Sequence, residues 1–455
     1  MRVPSPLLVP LLGLFLASGP LSQWLEAAPK TQSASEDRLT AKAGLSAETD
    51  SVLDGEESAT EMESPAQVKV FLAELHSVTE IVALGDSLYE KGNLVGAVIA
   101  YTKAIELDPK LATAFCNRSE TYFAQGEIDK SLADASEAVR LAPTDAAVFV
   151  QRGRVYLETG RFAKAIVDFD EAIQRDATIA FAFACRGNAH AHLGANPKAI
   201  ADLNRAIEID AQNAIAYRTR GAIYGGMGKC DKAIADFSEA IRICPDDVYA
   251  YSSRGEAYLK AGCLEKALLD VNEAIRLDAG NEYAHLTRGA VYAQQGAFEK
   301  ALADLDKAVQ LAPNDSDAYS NRGCVHLATG NFDKAIADAA KSLELDPRNS
   351  VAYRCRGTAY AKKGNAAKAI ADFSEIVRLN PGDVLAHLNR GIIYTEQGDL
   401  EEALADVNAA IASDPKCVEA YRCRSRIFDK QGKKDLAEAD RATAQKLSPA
   451  TTAAK

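Results

Sequence analysis

The sequence predicts an all-α fold in which one helix pair recurs along the chain as a solenoid. Three observations carry that prediction: a strict 34-residue period, small and aromatic residues at offsets that share a helix face, and Gly and Pro where helices must stop. Stepping by 34 from Val78 gives repeat starts at Ala112, Ala146, Ala180, Ala214, Val248, Glu282, Ser316, Ser350, Val384 and Val418, and the last repeat ends at Thr451. Eleven repeats fit without insertion or deletion, so the 455 residues do not divide into the two or three globular domains that length alone suggests.

The elements follow in chain order. Arg2 precedes an uncharged stretch with its apolar heart at Leu7 to Ala17, shorter than the ~20 residues of a spanning helix, so residues 1–27 are expected to be a signal peptide or alternatively a membrane anchor. Residues 28–65 hold no aromatic and are rich in Ser, Thr, Ala, Glu and Asp; they read as an acidic, flexible linker. Residues 66–77 are assigned as an N-terminal capping helix, 78–451 as the repeats, and 452–455 as a tail.

Within a repeat, positions 4, 8 and 11 fall on one helix face and positions 20, 24 and 27 on another. Position 8 is Gly in nine repeats and Ser119 or Ser425 in the others; position 20 is Ala except at Ser131. Small residues at both let two helices approach, and Tyr at 11 with Phe or Leu at 24 fills the space beside them. Gly at position 15, from Gly92 to Gly432, suits the left-handed end of the first helix, and Pro at 32 stops the second. Ala177, Ala211 and Ala279 replace that Pro, and Ile376 occupies a usually small site.

This grammar resembles the tetratricopeptide repeat family over Val78 to Thr451. The resemblance implies a right-handed superhelix whose first helices line a concave, protein-binding groove, with peptide contacts from positions 2, 5, 6, 9, 12 and 13. Carried onto this sequence, position 2 gives Phe181, Ile215, Tyr249 and Tyr283 in succession, with Asn188 and Arg218 nearby as hydrogen-bonding groups. Those side chains either anchor a peptide or pad the contact between neighbouring first helices. A terminal-carboxylate clamp of the kind some relatives carry is incomplete: Arg354 and Asn389 fit, but Thr358, Glu419 and Cys423 do not.

Position 7 is Arg and position 23 is Asp in repeats two to eleven, while the first repeat has Leu84 and Ala100. Joint presence and joint absence predict that the two side chains meet as partly buried ion pairs, within a repeat or between neighbours, as for Arg220 with Asp236, Arg254 with Asp270 and Arg288 with Asp304. Because the Asp series matches it, the arginine ladder is not read as an anion site.

Other chemistry is weakly signalled. A net charge of -12 argues against nucleic-acid binding, and the stretch from Gly221 to Cys230 departs from phosphate-loop spacing at Ile223 and Cys230. His190 and His326 replace the position-11 Tyr, while His285 and His387 sit at position 4, so no catalytic constellation, metal site or cofactor is expected. Nine Cys without CxxC spacing leave at least one unpaired; Cys230 with Cys263 is the first pair to test, and Cys185, Cys355 and Cys423 share position 6. Sequons at Asn117 and Asn314 matter only in a glycosylating pathway. The expected function is a non-enzymatic scaffold binding a protein or peptide, exported or tethered to a membrane through residues 1–27. A self-associating spacer, or a substrate-recruiting arm for a partner enzyme such as a transferase, is the alternative.

Overall fold

The computed structural model describes residues 64–75 and 77–448. The assignments of residues 1–27, of nearly all of 28–65 and of 452–455 fall outside them. Among the described residues every regular element is helical, and the chain divides into two compact halves at Ser253 and Arg254. In the N-terminal half α1 (Pro65–Glu74) precedes α2 (Val78–Glu90), α3 (Leu94–Leu107), α4 (Ala112–Ala124), α5 (Ile128–Leu141), α6 (Ala146–Glu158), α7 (Phe162–Arg175), α8 (Ala180–His192), α9 (Asn196–Ile209), α10 (Ala214–Gly226) and α11 (Cys230–Ile243). The division passes through α12 (Val248–Lys260). The C-terminal half continues with α13 (Leu264–Leu277), α14 (Glu282–Gln294), α15 (Phe298–Leu311), α16 (Ser316–Ala328), α17 (Phe332–Leu345), α18 (Ser350–Lys362), α19 (Ala366–Leu379), α20 (Val384–Gln397), α21 (Leu400–Ser413), α22 (Val418–Lys430) and α23 (Lys434–Leu447). In each half consecutive helices pack in pairs, second helices pack on the next first helix, and the result is an α-solenoid.

The close approach at position 8 has a definite partner. A Cβ built on Gly289 would stand 2.7 Å from Leu305 Cγ and 3.3 Å from the Ala301 carbonyl oxygen; on Gly153 it would stand 2.9 Å from the Phe169 ring. Glycine therefore makes room for the position-24 side chain, and Phe169, Leu203, Phe237, Leu305 and Phe373 are fully buried. Burying each contributes about 1.5–3 kcal/mol, which an isolated helix pair could not realise. Where position 8 is Ser119, its hydroxyl donates to the Ser131 carbonyl oxygen at 2.9 Å, so two small polar residues replace the glycine–alanine contact.

Each position-15 glycine has φ between 70° and 94°, the left-handed turn that joins the two helices of a repeat. Second helices end at position 30 whether or not Pro follows. In the three repeats with Ala instead, Asp176, Asp210 and Asp278 accept from the backbone N–H two residues on, at 2.8 to 2.9 Å, and that side-chain turn breaks the helix. At the N-terminal end α1 packs on α3. Ser64 caps it reciprocally with Gln67, and Val68 and Leu72 are buried in one cluster with Leu84 and Ala100. The first repeat thus replaces the arginine–aspartate pair with apolar contact. At the other end Arg441 is exposed and donates to Asp429 at 2.7 Å.

Candidate functional site

The arginine at position 7 grips the aspartate at position 23 of its own repeat. Nε and Nη2 of Arg220 donate to Asp236 at 2.8 and 2.7 Å; the corresponding bonds are 2.7 and 2.8 Å for Arg254 with Asp270, and 2.7 Å each for Arg288 with Asp304. The aspartates are buried, and Arg220 and Arg288 are held protonated chiefly by these bonds, above the ordinary guanidinium range. The third nitrogen reaches back to position 25 of the preceding repeat: Arg186 to Asp170, Arg220 to Asn204, Arg288 to Asn272, Arg322 to Asp306 and Arg390 to Ser374, at 2.6 to 2.9 Å. One guanidinium therefore ties two helices of one repeat and staples that repeat to its neighbour. The position-4 ring lies beneath it, with Arg220 5.6 Å from the Tyr217 centroid. Where that ring is His285 or His387, Nδ1 lies instead 3.1 or 2.8 Å from Oδ1 of Asp304 or Asp406. These histidines are built into the staple.

The groove residues read from sequence fall into both halves. Phe181 on α8, Ile215 on α10 and Tyr249 on α12 are half-buried in the N-terminal half, and Phe181 packs against a core that includes Cys185 and Phe149. Arg218 donates from Nη1 to Asp247 Oδ2 at 3.1 Å, and Asp247 also caps α12 by accepting from Ala250 N–H at 3.0 Å. Its guanidinium is engaged within its own repeat. In the C-terminal half Tyr283 donates its hydroxyl to Glu256, a buried carboxylate that also meets Lys260 at 2.9 Å. Burial raises Glu256 above the ordinary carboxyl range, with Lys260 and Tyr283 opposing, and raises Tyr283 as well. Tyr283 thus seals α14 against α12 with its hydroxyl as well as its ring.

Of the groove residues read from sequence, Asn188 carries an unengaged polar atom. Asn188 Oδ1 is buried and accepts no hydrogen bond, and the same holds for Asn321 Oδ1 and Asn389 Oδ1 at position 6 of α16 and α20. Arg354 donates both terminal nitrogens to Asp383 at 3.3 and 3.0 Å, so half of the partial clamp is spent on the cap of α20. Sequence reading missed a polar chain across the first helices of the opening repeats: Asn117 donates to Asp86 at 2.9 Å, and Tyr89 and Arg154 both donate to Glu120, at 3.4 and 3.2 Å. The signal was present at position 9, which runs Asp86, Glu120, Arg154. Among the described residues no group of three or more His, Cys, Asp or Glu is arranged for a metal ion, and no helix is long and apolar enough to cross a membrane.

This geometry is that of known repeats. The sequence matches the tetratricopeptide repeat family over residues 116–179, 320–384, 356–416 and 388–450, and the related TPR repeat description over 85–126, 187–228, 227–262 and 289–330. The chain is a tetratricopeptide repeat protein. Comparison with curated proteins gives no significant match. Among solved structures it is similar to the Cut9–Hcn1 hetero-tetramer of APC/C, with 13% identity and a TM-score of 0.52 over 86% of this chain and 97% of that one. Yeast Tom70 shares 15% identity with a TM-score of 0.42 over 82% and 92%. A tetratricopeptide repeat protein from Parabacteroides merdae shares 20% with a TM-score of 0.44 over 55% and 98%. The first of these likenesses bears on fold alone.

Proposed function

We propose that the protein is a non-enzymatic scaffold that captures an extended peptide or a helix of a partner protein along its first helices. Membership of a family whose repeats mediate protein–protein interaction supports this, and one observation carries it furthest. Asn321 and Asn389, at a position that faces ligands in the family, keep buried amide oxygens without a donor. Buried acceptors are normally satisfied, and the backbone N–H of an extended peptide supplies the missing donor. In this reading residues 1–27 deliver the chain to an extracytoplasmic location or tether it to a membrane, and no nucleic acid or cofactor takes part.

The test pans the purified chain against a displayed random-peptide library and measures the selected peptides by fluorescence anisotropy. Asn321→Ala with Asn389→Ala is expected to weaken binding about tenfold for each hydrogen bond lost. Unchanged affinity would remove these positions from the site. No selected peptide, together with concentration-dependent sedimentation, would replace the scaffold with a self-associating spacer.

A further inference from the structure

Two of the nine cysteines sit on neighbouring first helices at facing positions. Cys324 occupies position 9 of α16 and Cys355 position 6 of α18, on first helices that pack directly against each other. They are 2% and 1% exposed free thiols, and Cys355 Sγ lies 3.9 Å from the Ala335 carbonyl oxygen of the neighbouring repeat. A Cβ on Gly323 would stand 3.4 Å from Cys355 Sγ, so the α16 backbone passes close to that sulfur. The same sequence spacing brings Asn117 Nδ2 to Asp86 Oδ1 at 2.9 Å, so position 9 to position 6 is a register at which side-chain ends touch.

We propose that Cys324 and Cys355 form an inter-repeat disulfide by exchange with a low-molecular-weight disulfide. The Cys324 thiolate attacks one sulfur of the small disulfide and expels a thiolate; the Cys355 thiolate then attacks Cys324 Sγ and expels the second. One S–S bond breaks in the oxidant, one forms in the protein, and the two thiol protons pass to the two departing thiolates. Neighbouring Cys324, and then burial, hold the Cys355 thiol well above the ordinary range, so thiolate is scarce while α16 and α18 stay closed. The bond therefore forms as the chain folds or when that contact opens. Its location has a structural logic: Arg356 pairs with Asp372 in its own repeat, but position 25 of the preceding repeat is Ala340, where Arg322 and Arg390 find an acceptor at the equivalent place. The cross-link ties a junction without this staple.

The experiment refolds the full chain from denaturant with oxidised glutathione, traps remaining thiols and maps non-reduced peptides by mass spectrometry. Expected is a species lighter by two hydrogens in which Cys324 is joined to Cys355, with a melting temperature that rises on oxidation and returns with dithiothreitol. Cys324→Ser and Cys355→Ala each abolish the link and the rise while melting like the reduced parent. Trapping of both residues as free thiols after refolding, or their capture by other cysteines, overturns the proposal.

Discussion

Arg288 holds Asp304 with two parallel hydrogen bonds of 2.7 Å. His285 Nδ1 lies 3.1 Å from the same carboxylate, so one aspartate organises two side chains of its repeat. Asp304→Ala strands a guanidinium among buried neighbours, and breaking a buried pair on one side costs about 3–5 kcal/mol. Because repeat arrays unfold in parts, the readout is amide exchange: protection of α14 and α15 is expected to fall more than that of α22 and α23.

Position-8 glycines are predicted to differ. Gly289→Ala places a Cβ 2.7 Å from Leu305 Cγ and destabilises by roughly 1–3 kcal/mol through overpacking. Gly323→Ala meets Asp338 Cβ at 3.3 Å and the Ala335 carbonyl oxygen at 3.4 Å, a milder crowding that the helix-propensity gain of roughly 0.5–1 kcal/mol partly offsets, so its cost is expected to be smaller than that of Gly289→Ala. Leu305→Ala combined with Gly289→Ala should recover part of the loss, as a double-mutant cycle by local amide exchange would reveal.

Acid sensitivity is predicted at position 11. Burial lowers the His326 pKa, reinforced by Lys334 and Arg322 and opposed by Asp338. A lowered folded value means the unfolded chain binds the proton first, so the stabilisation is present above the ordinary histidine pKa of about 6.5 and is lost as pH falls through the folded value. His326→Tyr, which installs the residue most repeats carry, is expected to flatten the decline of local stability below pH ~6.5. An equal decline in parent and variant would place the acid sensitivity elsewhere.

Tyr283→Phe keeps the ring and removes only the donor to Glu256. Leaving that buried carboxyl one partner short is expected to cost roughly 1–3 kcal/mol in the stability of α14, with the affinity of selected peptides unchanged. Weakened peptide binding at unchanged stability would instead make the hydroxyl a ligand contact.

Helix pairs were legible because eleven repeats multiply a signal that a single pair would leave faint, and the arginine–aspartate pair was legible because Leu84 and Ala100 lose both partners together. The backward bond was not. Its acceptors are Asp170, Asn204, Asn272, Asp306 and Ser374, which share only an oxygen at the right height. Arg218 read as a groove group from its repeat position alone, whereas Asp247 takes it with one carboxylate oxygen while capping α12 with the other. All nine cysteines are free thiols, and of the pair chosen from sequence Cys230 is half-buried and Cys263 exposed. Cys324 and Cys355 escaped notice because 31 is not the repeat length and the contact runs between different positions.

The backward-reaching guanidinium gives the array a direction. Arg118 donates to Thr102 in the opening repeat, which has Leu84 in place of a donor of its own, and Arg424 donates to Asn408 while the closing repeat offers only Ala442 at the matching height. Every tie therefore points toward the N-terminus, like links hooked one way. An excised fragment beginning at Ala180, Glu282 or Val384 would carry an arginine stripped of its backward acceptor, whereas one cut from the far end would lose only a final hook.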